Sequence, residues 1–328
     1  MSNGKTVLFM LCDTALHAGS GSELGIVDLP IQREKHTGYP KIESSSIKGC
    51  IREFFESSEK KPSVADRLGI SNFDLISLVF GPEDDGQKHA GSVSFCDARL
   101  LLFPVKSVKG VFAWITCPAV IQRFISDMSI LGIEISIDVS KIHAYSVPCE
   151  SKILIDDENI VILEEFTFKN IEKSEECSKL AKWLADYVLP TNHECNYLKD
   201  WMKEKLIILS NDDFKDFVTM STEVITRIKI NPDTGTVEKG ALFTEEYLPS
   251  DTILYSLIMS SGLFINEEKA KVKEALEKMN IDEKDMVIDY IKEMMPNIIQ
   301  LGGNMNLGKG LIRTNFYSEG GKSDVNSK

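Results

Sequence analysis

The first apolar run of the chain, KTVLFMLC at Lys5–Cys12, gives way at once to LHAGSGSELGIVDLP, and this succession limits the fold more than any other feature. The Val-, Leu- and Phe-rich run predicts a strand. Glycines at 19, 21 and 25 and a proline at 30 then forbid regular structure, since glycine weakens helix and ladder and proline cannot donate to either. A dinucleotide fold needs a helix to start at such glycines so that its N-terminus holds the pyrophosphate. Ile26, Val27 and Pro30 stand there instead, which argues against a nucleotide site.

Beyond this loop, Ser44–Ser46 supply N-caps for a helix to about Glu56. Its apolar residues Ile47, Ile51, Phe54 and Phe55 share one face, and Lys48 and Arg52, four apart, share a neighbouring stripe. Ser92–Val105 and Gly110–Cys117 predict strands, and Pro118 opens a helix to about Leu131. In the middle third, Lys152–Leu163 predicts a strand or hairpin, and Cys177–Leu189 and Asp212–Val218 predict helices. NPDTG between two extended runs predicts a hairpin from Thr226 to about Phe243. A strand at Thr252–Ser260 and helices at Asn266–Met279 and Asp282–Met295 follow, with Pro296 as the stop. A glycine-rich turn, LGGNMNLGKG, leads into a last strand at Leu311–Tyr317, and the polar residues from Ser318 predict a frayed tail. Helices alternate with strands without a strict βαβα rhythm, so the class is α+β with insertions.

Gly303 to Lys309 fits most of a phosphate-binding P-loop, but Gly310 stands where a Ser or Thr should bind magnesium. Two readings remain, a tight turn or a run of N–H groups that cradles another phosphate. Nothing supports a protein nucleophile: there is no G-x-S-x-G, and the seven scattered cysteines form no C-x-x-C pair. They read as thiols of a reducing cytoplasm rather than a disulfide or zinc framework. The five histidines lack zinc-binding spacing; Cys195 beside His193 has no mechanistic meaning. Asp28, in GIVDLP, is a lone carboxylate among apolar neighbours, either a turn former or aimed at a ligand.

No apolar run reaches the roughly 18–20 residues of a membrane helix, and the N-terminal run lacks a cleavage site, so a cytoplasmic protein is expected. The formal charge of −13 argues against coating nucleic acid through bulk charge. Its distribution is uneven, however. Residues 150–178 hold nine acids and three lysines, whereas residues 98–126 hold Arg99, Lys106, Lys109 and Arg123 with no acid. Residues 296–318, with Lys309 and Arg313, lack acids up to Ser318. Screening confines such fields to about 8 Å at physiological salt, so a basic track on an acidic body can still bind phosphates.

Four segments in order, LHAGSGSELGIVDLPIQREKHTGYPKIESSSIKGCIRE, FPVKSVKGVFAWITCP, RIKINPDTGTVEKGALFTEEYLP and LGGNMNLGKGLIR, resemble the RAMP superfamily of CRISPR systems. Within it they resemble the multi-copy backbone subunit of the type III-B (Cmr) RNA-guided effector complex. The resemblance covers roughly Thr6–Cys117 and Thr226–Thr314. It implies one domain over residues 1–328 with a ferredoxin-like (RRM-like) core, about 5–117 and 220–317, and a mixed insertion at about 118–219. It also implies a β-hairpin thumb, a filament of copies of the chain along a CRISPR guide RNA, and contacts with other Cmr subunits. Single-stranded target RNA would be cut at regular intervals in a divalent-metal-dependent reaction, Mg2+ being the expected ion. The matching aspartate is Asp28, as catalytic residue and metal ligand. Lys48 and Arg52 match the guide-binding helix, and Gly302, Gly303, Gly308, Lys309 and Arg313 match the glycine-rich guide loop and its strand. Asn304 and Asn306 stand where Asp and Thr are commoner in the family. Lys106 and Lys109 join the expected RNA contacts, with His17 close to the RNA, and Glu245 or Glu246 matches an accessory carboxylate. The alternatives are a purely structural guide-binding subunit and a metal-free precursor-processing endonuclease; the second lacks a histidine-centred acid–base pair.

Overall fold

Lys5–Cys12 forms strand β1 in a computed structural model that describes residues 4–22, 25–83, 89–155, 159–190, 195–264 and 270–318. The expected tail beyond Ser318, residues 266–269 of a predicted helix, His193 and the acids Asp156, Asp157 and Glu158 lie outside the described residues. After the irregular loop come strand β2 (Lys41–Ile42) and helix α1 (Ser44–Ser57), then helices α2 (Ser63–Leu68) and α3 (Asn72–Phe80). Strands β3 (Val93–Phe95), β4 (Ala98–Ser107) and β5 (Val111–Thr116) precede α4 (Pro118–Ile130). The middle of the chain adds β6 (Ser146–Pro148), β7 (Val161–Leu163), β8 (Phe166–Phe168), β9 (Glu172–Ser174), α5 (Glu175–Tyr187) and α6 (Asn196–Lys205). Next are β10 (Leu206–Ile208), α7 (Asn211–Met220), the hairpin β11 (Glu223–Ile230) and β12 (Val237–Tyr247), and β13 (Ile253–Ser260). Helices α8 (Ala270–Met279) and α9 (Glu283–Met294) lead to β14 (Ile298–Gln300) and β15 (Leu311–Phe316).

One mixed sheet runs β14–β15–β1–β13–β4–β5–β10–β6–β9. Its heart, β15–β1–β13–β4, is antiparallel throughout, with Phe9 opposite both Tyr255 and Asn315. With α1 between β1 and β4 and α9 between β13 and β15, this is the split βαβ order of a ferredoxin-like core. The expected insertion extends the same sheet, because β10 pairs in parallel with β5.

Both faces of the core sheet are covered. On one, Phe55 of α1 meets Tyr290 of α9 and Phe80 of α3 edge-on, each at 5.5 Å. Burying a ring such as Phe55 is worth roughly 1.5–3 kcal/mol. On the other face, Phe124 of α4 packs on Phe9 at 6.3 Å, on Tyr255 at 5.0 Å and on Trp183 of α5 at 5.5 Å. The hairpin β11–β12 stands outside this sheet as its own two-stranded unit.

Several expectations need correction. No serine caps α1; Glu43 occupies the cap, and the Ser44 N–H donates instead to Asp97 Oδ1 at 2.9 Å. The hairpin expected within 152–163 lies later, at Val161–Phe168. The continuous strand expected over 92–105 is broken at Cys96-Asp97, where Asp97 turns to serve α1 and Lys41.

Candidate functional site

The hairpin ends in Thr244-Glu245-Glu246-Tyr247, and strand alternation sends Thr244 and Glu246 to one face and Glu245 and Tyr247 to the other. Each pair holds one of the two loops that the sequence singles out.

Thr244 and Glu246 hold the loop after β1. The Leu29 N–H donates to the Thr244 carbonyl at 3.0 Å, and the Leu29 carbonyl accepts from the Glu246 N–H at 3.0 Å. Asp28 Oδ2 accepts from the Thr244 N–H at 2.8 Å and its hydroxyl at 2.9 Å, while the Asp28 N–H donates to that hydroxyl at 3.0 Å. The bond from the Thr244 backbone, followed by that from its hydroxyl, holds the Asp28 carboxyl below its ordinary range. Asp28 is exposed, and its Oδ1 makes no hydrogen bond among the described residues. Glu246, by contrast, is buried. It accepts from the Ile31 N–H at 3.0 Å and the Thr222 hydroxyl at 2.8 Å, and pairs with Arg33. Arg33 donates further to the carbonyls of Gly38 at 2.9 Å and Val218 at 3.0 Å, tying the loop to the end of α7.

Glu245 and Tyr247 hold the glycine-rich loop. Glu245 accepts from the Tyr247 hydroxyl at 2.6 Å, Arg227 Nε at 2.9 Å and Asn304 Nδ2 at 3.3 Å. Burial pushes its carboxyl up, but these three donors outweigh it and hold the group below its ordinary value. Asn304 also donates to the Tyr247 hydroxyl at 2.8 Å, and the Lys309 ammonium lies 4.9 Å from the Tyr247 ring centroid. His17 packs on the same ring at 5.4 Å, and its Nδ1 donates to the Glu246 carbonyl at 2.7 Å. Both glutamates, matched above to an accessory carboxylate, are thus engaged by hydrogen bonds and an arginine each at the hairpin base.

The glycines of this loop serve close approach. Gly302 has φ +76°, and a Cβ there would lie 2.4 Å from the His17 carbonyl oxygen. The N–H groups of Gly303 and Gly310 donate to His17 and Ala15 carbonyls, each at 2.9 Å, and those of Leu307, Gly308 and Lys309 close the turn on itself. A phosphate cradle built from these five N–H groups is therefore not formed; Lys309 is the cation the loop carries.

Helix α1 lies beside the loop: burial pushes the Cys50 thiol up, and the nearby Gly302 N–H partly offsets this. Burial first, and the Arg52 charge second, hold the Lys48 ammonium below its ordinary pKa, and no acid pairs with Lys48 among the described residues. Arg52 is engaged by Glu56 at 2.6 Å and by the Gly81 carbonyl at 3.0 Å. Arg313 pairs with Asp13 at 2.7 Å, near enough to Tyr197 of α6 to act on its hydroxyl, and does not join the residues around Tyr247. Lys106 and Lys109 stand at the β4–β5 turn beside β7, outside this junction. His17, Gly302, Gly303, Lys309 and the two glutamates are thus gathered around the hairpin base, with Asp28 on its edge, while Lys48 lies on α1 beside Arg52.

No group of three or more His, Cys, Asp or Glu that could hold a metal occurs among the described residues. Asp28 offers one free carboxylate oxygen, so the donor set fits magnesium only as an ion that keeps its waters and shares phosphate oxygens with a nucleic acid. Sequence reasoning missed Arg33, Arg227, Thr244 and Tyr247. Alternation along ALFTEEYLP could have paired Glu245 with Tyr247, but nothing local points to Arg33 or Thr244.

No helix among the described residues is long and apolar enough to cross a membrane. Residues 10–313 match the RAMP superfamily. The chain is 36% identical over 304 residues to the CRISPR system Cmr endoribonuclease Cmr4 of Pyrococcus furiosus, covering 92% of this chain and 91% of that protein. It is 24% identical over 326 residues to the CMR subunit Cmr4 of Saccharolobus solfataricus, covering 95% and 96% of the two chains. The crystal structure of oligomeric Cmr4 from P. furiosus superposes with a TM-score of 0.63 at 28% identity, covering 95% of this chain and 97% of that one. The shared ferredoxin-like core and the near-complete coverage agree: the chain belongs to the RAMP superfamily, in the family of Cmr4 subunits of CRISPR Cmr systems.

Proposed function

We propose that this chain is a repeated backbone subunit of an RNA-guided effector complex and cuts bound target RNA with Asp28. The observation that carries the reading is the exposed Asp28 carboxylate, held by Thr244 at the base of the hairpin with one oxygen free. The name and oligomeric state of the P. furiosus relative support an RNA-cutting subunit that stacks on copies of itself. Guide RNA would lie along α1 and the glycine-rich loop, with Lys48 and Lys309 on its phosphates. Such contacts read no sequence, which suits a subunit that holds any guide while base pairing selects the target. Other Cmr subunits would cap the stack.

RNA brings its own nucleophile, the 2′-hydroxyl, so the absence of a Ser, Cys or His constellation is no obstacle. A carboxylate held below its ordinary pKa is a poor base at neutral pH. Asp28 therefore acts as an anion that orients the reacting ribose-phosphate and offers Oδ1 to a divalent cation arriving with the RNA phosphates. That cation, expected to be Mg2+, would neutralise charge developing on the phosphate. The hairpin would splay one target nucleotide out of the duplex, giving the in-line geometry that an A-form helix denies.

Among the described residues Asp28 stands in no cluster of metal-ligating side chains, which leaves room for a second reading, a structural subunit without nuclease activity of its own. One substitution separates the two. Asp28→Asn should leave guide and target affinity within about twofold, because binding is spread over many phosphates, while target cleavage in Mg2+ disappears. Cleavage at the wild-type rate by the Asn variant would remove Asp28 from the chemistry.

A further inference from the structure

The residue that fixes Asp28 is not on its own loop. Asp28 and Leu29 run along the outer edge of β12 as a short third strand: Leu29 bridges Glu245 in parallel, through its N–H to the Thr244 carbonyl and its carbonyl to the Glu246 N–H. Thr244 closes the arrangement with its N–H and hydroxyl on one oxygen of the Asp28 carboxylate, while the same hydroxyl accepts from the Asp28 N–H. A carboxylate on an exposed loop normally rotates freely. Here both bonds fall on Oδ2, so Oδ1 is the oxygen left over, and it occupies one place relative to the hairpin.

We propose that Thr244 is the positioning residue for Asp28, and that through it the acting oxygen is carried by the hairpin rather than by the core sheet. This rests on the proposed function of Asp28. The consequence is a fixed separation between the nucleotide that the hairpin displaces and the phosphate that is cut. The Asp28 tether differs in kind from the rest of the loop's anchorage. The loop's two arms also bond to each other, the Gln32 N–H donating to the Ala18 carbonyl at 2.8 Å and the Ser20 N–H to the Pro30 carbonyl at 3.0 Å, so the arms stay closed on each other when the Thr244 hydroxyl is lost. Removing that hydroxyl should therefore release one side chain and leave the loop folded.

The test uses the assembled complex with guide RNA and compares Thr244→Val, which keeps shape and the N–H, with Thr244→Ser, which keeps the hydroxyl. Single-turnover cleavage at saturating target and target affinity are read separately. Misplacing a reacting group by about 1 Å costs on the order of 100-fold. Thr244→Val should accordingly lower the cleavage rate about 10- to 100-fold with target Kd within about twofold, and Thr244→Ser should cut within about threefold of wild type. If the Val variant fails to assemble, Thr244→Ala takes its place against the same Ser reference. A wild-type rate for Val or Ala, or a Ser variant as slow as Val, overturns the positioning role. Asp28→Asn runs alongside: if it is inert while Thr244→Val is unimpaired, only the positioning falls. If it cuts normally, both readings fall together.

Discussion

Glu246 makes opposite predictions according to whether it is a strut or a participant in chemistry. Its carboxylate accepts from the Ile31 N–H and the Thr222 hydroxyl and pairs with Arg33, all in a buried setting. Glu246→Ala strands the Arg33 guanidinium and one backbone donor. Breaking a buried pair from one side costs about 3–5 kcal/mol. Arg33 is 21% exposed and keeps the Gly38 and Val218 carbonyls, so the lower end applies, about 3 kcal/mol. A chain of 328 residues has an unfolding entropy of about 0.7 kcal/mol/K near its midpoint, so Tm should fall by about 4 °C. Glu246→Gln keeps one acceptor and should lose about half of that. Differential scanning calorimetry on the isolated chain gives the Tm, and the Arg33→Ala, Glu246→Ala cycle gives the coupling. A strut predicts a coupling of about 1–3 kcal/mol and cleavage that falls in step with stability. A Gln variant with unchanged Tm and no cleavage would refute the reasoning and return Glu246 to the chemistry.

Two further substitutions probe the guide side. Lys48→Met removes a partly buried cation that sits beside Arg52, so the free chain should melt no lower than wild type. Its log K against log salt for single-stranded RNA should flatten by about 0.7 if one phosphate contact is lost, and an unchanged slope would remove Lys48 from the interface. Gly302→Ala places a Cβ 2.4 Å from the His17 carbonyl oxygen at φ +76°, whereas Gly308→Ala, at φ +70°, meets nothing within 4 Å. Gly308→Ala should cost about 1–2 kcal/mol from backbone strain alone, and Gly302→Ala clearly more, by thermal melting. Equal losses would mean that the contact with His17 can relax.

Much of the fold is readable locally because its signals are short-range. The 3.6-residue spacing of Ile47, Ile51 and Phe55, the proline at 118 and the NPDTG turn each act within a few residues. Helix α3 escapes because NFDLISLVF is buried at Leu75, Ile76, Leu78, Val79 and Phe80 and so lacks a polar face. Helix α6 escapes for the opposite reason: charged residues surround it, and buried Lys205 is satisfied by the Trp201 ring, 3.8 Å from its ammonium, rather than by an acid. Strands of two or three residues, such as β2 and β14, carry no period at all. In the site, Asp28 stands out as a lone acid in an apolar loop, yet its partner Thr244 is 216 positions away. The Arg33 and Glu246 pair spans 213. Contacts of that separation leave no mark on either local sequence, and only the match to a known family pointed toward the hairpin.

The placement of β1 bears on how the polypeptide is made. Its ladder partners, β13 and β15, lie far along the chain, so this strand, once it has left the ribosome, waits for about 240 further residues before either neighbour exists. At roughly 5–20 residues per second that is about 12–50 s during which KTVLFMLC has no ladder partner. Nascent-chain capture by chaperones should accordingly centre on this octapeptide and cease only when Leu311–Phe316 has been synthesised, which makes emergence of that distant strand, rather than local collapse, the event that commits the subunit to its native state.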